Sequence, residues 1–275
     1  SWRNCLSEEG GSHLPVADGS DAVVVVVGEK GAAQRRLTVH GDAGHGSTPY
    51  GRELTVGLIA EVARRIAAME PDVISDELWE GYVRAFRFDD ATQQALIGGS
   101  SFDSLGDLAR YSHAMSHLTI APTVLRAGRA INVLPSEAYL ELDIRPLPGQ
   151  TQEDIDAALR EALGDLAEHV TIEHLITEDA TVSPASGPLY DAIVDTIGGF
   201  FDDAPVVPTI AAGGSDLRFG RRKGGVGYGF ALHHRGRTLG DVLDLLHSHD
   251  EYVEVADVEL TVKAYRSLVK RFIGA

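Results

Sequence analysis

The spacing of apolar and polar residues along the chain predicts a mixed α/β protein. Val23–Val27 is a run of five consecutive valines, too short for a helix and apolar on both faces, as is typical of a strand covered on both sides of a sheet. From Glu53 to Met69 apolar residues recur at three- and four-residue spacings, which predicts an amphipathic helix. Ala138–Arg145 alternates between apolar and polar residues and is predicted to be a half-buried strand.

The order of the predicted elements indicates that one domain is inserted into another. Between Gln34 and Ile176 the order is strand, helix, two strands, helix, strand, with a polar, partly helical insertion between Glu70 and His117. This is the order of a ferredoxin-like βαββαβ fold. We therefore expect residues 34–176 to form the inserted domain, and residues 1–33 and 177–275 to form one interrupted α/β sheet domain.

Composition and charge exclude several classes of protein. The chain has 275 residues, of which 44% are hydrophobic, enough for two domain cores. Its 24 Lys and Arg against 41 Asp and Glu give a formal net charge of −17, which argues against nucleic-acid and anionic-membrane partners. Cys5 is the single cysteine, so no internal disulfide forms. No stretch has the length of a membrane span, and we expect a cytoplasmic protein.

One short segment concentrates potential metal ligands. In LLHSHDEYV, residues 245–253, two histidines and two carboxylates occupy five positions directly after an apolar run: His247, His249, Asp250 and Glu251. Neutral imidazole is a good zinc ligand, and a neighbouring carboxylate can orient it. A solvated acidic loop explains the same residues equally well, because a zinc site needs three or four ligands and this loop cannot supply all of them.

Three further segments bear on this choice: GDAGHGSTP (41–49), INVLPSEAYLELDIRPLPGQ (131–150) and AAGGSDLRF (211–219). With the histidine segment, in this order and spacing, they resemble the aminoacylase/carboxypeptidase family of dizinc metallopeptidases. Relatives in that family include succinyl-diaminopimelate desuccinylase, acetylornithine deacetylase, glutamate carboxypeptidase and carnosine-type dipeptidases. The resemblance runs from about Leu6 to the C-terminus. It implies that the sheet domain is the C-terminal part of a zinc-peptidase domain and that the ferredoxin-like insert is a lid and dimerisation domain.

The resemblance also implies metal ligands. In such enzymes the first histidine of the HxHDE-like segment binds zinc, which corresponds to His247, whereas His249 matches no role. The acidic residue that binds the second zinc corresponds to Glu9 in LSEEGG, with Glu8 as the alternative if the alignment shifts by one residue. The resemblance implies two zinc ions in the intact enzyme and one or none in this chain.

Other residues correspond to the substrate side of such a site. His45 matches a histidine that reaches the partner subunit's active site and polarises the scissile carbonyl group; the alternative is a turn histidine between glycines. Asn132 and Arg145 match residues on the substrate and hinge side of the insert, and Arg218 matches a residue that faces the substrate. An ion pair with Glu141 or Asp143 is the alternative for Arg145, and a structural loop contact is the alternative for Arg218.

The match also lacks parts of the family pattern. Such enzymes need an HxD segment, a bridging aspartate and a Glu-Glu pair, and none of these precedes LSEEGG in the chain, which opens SWRNCLSEEGG without an initiator methionine. We therefore expect a truncated chain that is inactive alone. The intact protein is predicted to be a homodimeric zinc hydrolase of amide bonds in N-acyl amino acids or short peptides. The alternative is a non-catalytic dimerisation or binding module built on the ferredoxin-like domain.

Overall fold

A computed structural model describes residues 2–202 and 204–274. The chain divides into two compact units. The discontinuous unit consists of Ser1–Glu29, Val73–Ser116 and Thr181–Ala275, and the inserted unit consists of Lys30–Asp72 and His117–Ala180. None of the helices in the described ranges is long and apolar enough to cross a lipid bilayer.

Strands and helices alternate along both units. The strands are β1 (Asn4–Ser7), β2 (Val23–Glu29), β3 (Ala32–His40), β4 (Gly44–His45), β5 (Thr119–Ala127), β6 (Val133–Leu134), β7 (Glu137–Arg145), β8 (Val170–Glu178), β9 (Thr181–Val182), β10 (Val206–Ala211) and β11 (Val226–Gly229). The α-helices are α1 (Thr55–Ala67), α2 (Glu77–Ala85), α3 (Asp90–Ile97), α4 (Ala109–Ser116), α5 (Gln152–Leu163), α6 (Pro188–Gly198), α7 (Leu217–Arg221), α8 (Leu239–Leu245) and α9 (Val255–Ile273). Short 3-10 helices cover Phe102–Leu108 and Gly164–His169.

The valine strand lies in the middle of the sheet of the discontinuous unit. Strands follow the order β1-β11-β2-β10, with β9 also paired to β2, and every residue of β2 is buried. Val23, Val25 and Val27 belong to a core cluster that includes residues of α6 and α9, whereas Val24 belongs to a second cluster that includes residues of α2. Alternate valines therefore face opposite layers of helices, which confirms the predicted strand covered on both sides.

The inserted unit has the predicted ferredoxin-like order of elements. Its antiparallel sheet follows the order β5-β7-β3-β8, and its chain order is β3, α1, β5, β7, α5, β8. The short strands β4 and β6 pair antiparallel with each other in a separate two-stranded sheet. The alternating residues Leu140, Leu142 and Ile144 of β7 are buried in one core cluster with residues of α1 and α5. Thr151 and Asp154 form a capping box at the start of α5, as expected for a threonine before an apolar-striped helix.

The bounds of the two units differ from the predicted domain bounds. Residues 73–116, which we placed inside the inserted domain, pack in the discontinuous unit. The reason is the apolar face of α2, where Trp79, Tyr82 and Val83 are fully buried in the cluster that contains Val24. Because such a face can cover any apolar layer of matching shape, its local pattern does not say which unit it joins.

Candidate functional site

Glu9 is a half-buried carboxylate just beyond β1. Its Oε2 atom is buried and has no hydrogen-bond partner among the described residues. Burial is the main reason that the pKa of Glu9 is raised, and the neighbouring Glu8 and Glu29 raise it further against the opposing charge of Arg221. A buried carboxylate oxygen without a donor, set near other carboxylates, is suited to a bound cation.

The two glycines after Glu9 explain why the chain can take this path. Gly10 and Gly11 have φ values of 91° and 75°, in the left-handed region that favours glycine. A Cβ atom on Gly11 would lie 1.9 Å from the carbonyl oxygen of Ala231. The two glycines are therefore required for the close approach of this segment to the chain beyond β11.

Glu29, at the end of β2, anchors the glycine turn before α7. Its side chain is buried, with 1% exposed; Oε1 accepts a hydrogen bond from Thr181 Oγ1 at 3.1 Å, and Oε2 accepts one from the backbone N–H of Ser215. Arg221 Nη1 lies 3.7 Å from Glu29 Oε1. Sequence reasoning missed this carboxylate, although a charged residue that closes a fully apolar strand is a signal for a buried polar contact.

The Arg221 guanidinium is held by several oxygen atoms as well as by Glu29. It donates hydrogen bonds to Ser183 Oγ at 3.1 Å, Thr181 Oγ1 at 3.3 Å and the carbonyl oxygen of Gly227 at 2.8 Å. Burial lowers the pKa of Arg221, and the charges of Glu29 and Glu9 partly offset this effect. Arg221, which sequence reasoning also missed, therefore links the carboxylate cluster to the frame of the sheet.

Arg218 lies in the first turn of α7, directly after the anchored glycine turn. Its side chain is half-buried, and its Nε atom is buried without a hydrogen-bond partner among the described residues. A Cβ atom on Gly214 would lie 2.6 Å from Arg218 Nη1, so the glycine makes room for the guanidinium. A desolvated guanidinium of this kind can bind a carboxylate through two parallel hydrogen bonds.

His247 and His249 both lie in the exposed segment between α8 and α9. The backbone of His247 has a φ of 57°, a left-handed conformation that is uncommon for residues other than glycine. Among the described residues no group of three or more His, Cys, Asp or Glu side chains is arranged to hold a metal ion. The carboxylate of Glu9 and the imidazole of His247 are donor types that zinc accepts, and their role as ligands stays a prediction.

His45 and Asn132 lie close together in the inserted unit. His45 is on β4, paired with Val133 of β6, and the backbone N–H of Gly46 donates to the carbonyl oxygen of Asn132 at 2.8 Å. Ser47, which sequence reasoning missed, contacts the ring: its backbone N–H donates to His45 Nδ1 at 3.2 Å, and its Oγ lies 2.8 Å from the same atom. Because Nδ1 accepts a hydrogen bond, the neutral imidazole carries its proton on the exposed Nε2 side.

Arg145 makes an ion pair within its own strand. Its Nε donates to Asp143 Oδ1 at 2.7 Å and its Nη2 donates to Asp143 Oδ2 at 3.2 Å. This is one of the two alternatives that the sequence left open for Arg145, and its role toward substrate stays a prediction. The structure thus groups Glu9 with the Glu29–Arg221 pair and the Arg218 turn, and separately groups His45 with Asn132.

Comparisons with known proteins agree with this fold. A family model described as the peptidase dimerisation domain (M20_dimer) matches residues 27–171. The probable carboxypeptidase S-like 2 of Dictyostelium discoideum is 26% identical over 272 residues, covering 93% of this chain and 48% of the relative. The succinyl-diaminopimelate desuccinylase of Magnetococcus marinus is 28% identical over 246 residues, covering 89% of this chain and 52% of the relative.

Solved structures are similar over nearly the whole chain. An M20 family metallo-carboxypeptidase from Sulfolobus solfataricus has a TM-score of 0.64 at 14% identity, covering 96% of this chain and 63% of that one. Human carnosine dipeptidase 1 has a TM-score of 0.58 at 11% identity, covering 92% of this chain and 57% of that one. The chain spans about half the length of the curated relatives that it matches.

Proposed function

Because the chain belongs to the M20 peptidase dimerisation-domain family, we propose that the whole protein is a zinc-dependent hydrolase of amide bonds in small carboxylate-bearing substrates. The relatives are named as peptidases and a desuccinylase, which supports hydrolysis as the class of reaction. The observation that carries the proposal for this chain is the buried Oε2 of Glu9, which has no donor among the described residues and lies in a cluster that already contains Glu29.

Glu9 and His247 are the residues of this chain that would hold zinc, one for each of two ions. When bound, zinc acidifies a water molecule and polarises the amide carbonyl group. Since two donors do not complete even one tetrahedral site, the remaining ligands must come from residues other than Glu9 and His247. We expect the 275 residues alone to hydrolyse N-acyl amino acids and dipeptides no faster than buffer containing zinc.

His45 acts as a hydrogen-bond donor to the substrate carbonyl oxygen. The Ser47 N–H occupies Nδ1, so the ring presents Nε2–H, the tautomer that can stabilise developing negative charge on an oxygen. Asn132 directly precedes β6, the strand that pairs with β4, and accepts a backbone hydrogen bond from Gly46; it would add an amide side chain to this substrate-facing edge. We also assign Arg145 to the substrate or hinge side of the insert.

Arg218 binds the free carboxylate of the substrate. Its guanidinium is half-buried and has no carboxylate partner among the residues that the structure describes, so a ligand carboxylate would relieve an unpaired charge. Glu29 holds the preceding turn through Ser215, which keeps Arg218 in a fixed orientation. Such a contact would favour substrates with a free carboxylate, such as N-acyl amino acids or short peptides.

The inserted unit forms a homodimer through the edge strand β5 and the start of α1. β5 is an edge strand in the order β5-β7-β3-β8, and its Leu125 is exposed, as are Leu54 and Val56 beside the start of α1. Leu125 is in register with Leu140, which is buried against the helices, so the exposed apolar residues lie on the helical side. Pairing this edge with a second copy removes an open strand edge and an apolar surface.

Two experiments on the full-length protein test these proposals. For the metal, His247→Ala is expected to abolish tight zinc binding at one site in calorimetry, and His249→Ala, the matched control, to leave it nearly unchanged. Equal losses in both variants would contradict the ligand assignment.

For the dimer, a mixture of His45→Ala and His247→Ala subunits, each nearly inactive alone, is expected to regain part of the wild-type activity through composite sites. Leu125→Glu is expected to give a monomer by light scattering, whereas Leu175→Glu on the opposite edge strand β8 leaves the dimer intact. A mixture that stays inactive while mass spectrometry shows subunit exchange would refute the role of His45 across the interface.

A cytoplasmic location of the protein stays a prediction.

A further inference from the structure

Arg237 is a buried arginine whose side chain contacts the connection into α9. Only 6% of the residue is exposed. Nη1 donates to Glu254 Oε1 at 3.1 Å, Nη2 donates to the carbonyl oxygen of Tyr252 at 3.4 Å, and the guanidinium carbon lies 4.9 Å from the centre of the Tyr252 ring. Glu254 directly precedes α9. One guanidinium therefore holds both the backbone and the side chains of the last residues before this helix.

The loop that carries Arg237 is also attached to the first turn of α9. Asp257 is buried, and its carboxylate accepts a hydrogen bond from the backbone N–H of His234 at 2.9 Å and lies 3.0 Å from His233 Nδ1. The ring Nε2 of His234 lies 3.0 Å from Glu254 Oε2. The start of α9 is thus fixed to residues 233–237 by several independent polar contacts.

The helix before the His247 segment starts next to the same arginine. Thr238 follows Arg237 and caps α8 in a reciprocal capping box with Asp241, whose carboxylate accepts from the Thr238 N–H at 2.8 Å. The backbone at 237–238 therefore fixes the start of α8, and the side chain of Arg237 fixes the start of α9. The exposed segment 246–253 connects the two helices.

His247 has few contacts of its own. It is exposed and left-handed, and the backbone hydrogen bonds on either side of it run from the Leu246 N–H to the Leu243 carbonyl oxygen at 3.3 Å and from the Ser248 N–H to the Leu245 carbonyl oxygen at 3.1 Å. A left-handed residue other than glycine persists only where the surrounding structure holds it. The held ends of the segment, rather than contacts of the histidine, can supply that constraint.

We propose that Arg237 is a positioning residue that fixes the His247 segment between α8 and α9 and thereby presents the imidazole for metal binding. The anchoring of the segment stands on the contacts above, and the consequence for metal binding rests on the proposed function. The two parts are therefore tested by separate measurements.

Hydrogen exchange in the full-length protein tests the anchoring. In Arg237→Gln the amides of residues 246–253 are expected to exchange about tenfold faster or more, because a buried charge-assisted contact is lost. Arg235→Gln is the matched control, since Arg235 lies in the same loop but pairs with Asp21 at 2.7 Å. If Arg237→Gln does not fold, Glu254→Gln takes its place. It neutralises the more exposed partner of the same contact and is expected to speed the exchange in the same way. Unchanged exchange in the folded variants would overturn the proposal.

Zinc titration tests the consequence. Arg237→Gln is expected to weaken zinc binding about 10- to 100-fold, as is usual when a group that orients a ligand is removed, while Arg235→Gln leaves the affinity unchanged. Faster exchange with unchanged zinc affinity, in a protein whose affinity does fall in His247→Ala, would overturn the positioning role. If His247→Ala itself leaves zinc binding unchanged, the ligand assignment in the proposed function fails, and the exchange result is judged separately.

Discussion

Lys30 is a buried lysine at the start of the inserted unit, and its burial leads to a quantitative prediction about pH. The residue is 2% exposed, and its Nζ donates to the carbonyl oxygen of His117 at 2.7 Å and to Thr119 Oγ1 at 3.1 Å. Burial, reinforced by the charge of Arg145, lowers the pKa of Lys30 from 10.5 to about 7. Neutral and charged forms of this amine are therefore both populated near neutral pH.

The sign of the effect follows from comparing the folded and unfolded chains. Because the folded pKa lies below the unfolded value, the unfolded state binds more protons between the two values, and the free energy of unfolding rises with pH across that window. One pKa unit corresponds to about 1.4 kcal/mol, so between about pH 7 and about pH 9 the gain is about 2 kcal/mol. Lys30→Met keeps an unbranched side chain of similar length but removes the amine, and its stability should lack this rise.

The assay uses the small number of lysines in the chain. With four lysines, at 30, 223, 263 and 270, selective carbon-13 labelling gives few NMR signals, and one is expected to titrate near pH 7 and to vanish in Lys30→Met. Urea unfolding followed by circular dichroism then compares the parent, Lys30→Met and the exposed control Lys223→Met at both pH values. A Lys30 signal that titrates near 10.5, or equal pH slopes in all three proteins, would refute the reasoning.

Three further predictions concern the free energy of unfolding, measured by urea denaturation. Gly11→Ala is expected to cost about 3 kcal/mol or more, because the new Cβ would meet Ala231 at 1.9 Å in a left-handed backbone; a variant of parental stability would contradict that close approach. Val25→Ala should cost about 2–3 kcal/mol through lost burial and a cavity, and a loss below about 1 kcal/mol would mean that the core collapses around it. Thr151→Ala should cost about 1 kcal/mol by breaking the capping box with Asp154, and Thr151→Ser should not.

Local patterns were sufficient to predict most elements of the inserted unit. The alternation in β7, the striped helix that became α1 and the threonine cap of α5 each depend on residues a few positions apart. Such short-range periodicity fixes which face of an element is apolar. The same holds for β2, whose five valines require cover on both faces wherever the strand lies.

The contacts of charged residues could not be predicted in this way. Glu29 meets Ser215 and Arg221 across 186 and 192 positions of sequence, and no local pattern records a partner at that distance. Arg145 pairs with Asp143 in the structure, although the strand pattern allowed Glu141 equally well. Charge pairing depends on a few ångströms of three-dimensional placement, which periodicity does not encode.

By itself, then, the sequence determined the type and order of the elements, because periodicity is a property of the chain, while the resemblance of its motifs to a known family supplied the candidate residues Glu9, His45 and His247. Only the tertiary structure decided that residues 73–116 join the discontinuous unit, that Glu9 has a buried oxygen with no donor in the described part of the chain, and that Arg237 contacts Tyr252 and Glu254 just before α9. These facts depend on which surfaces meet after folding, and burial and hydrogen bonding are defined only once they have met.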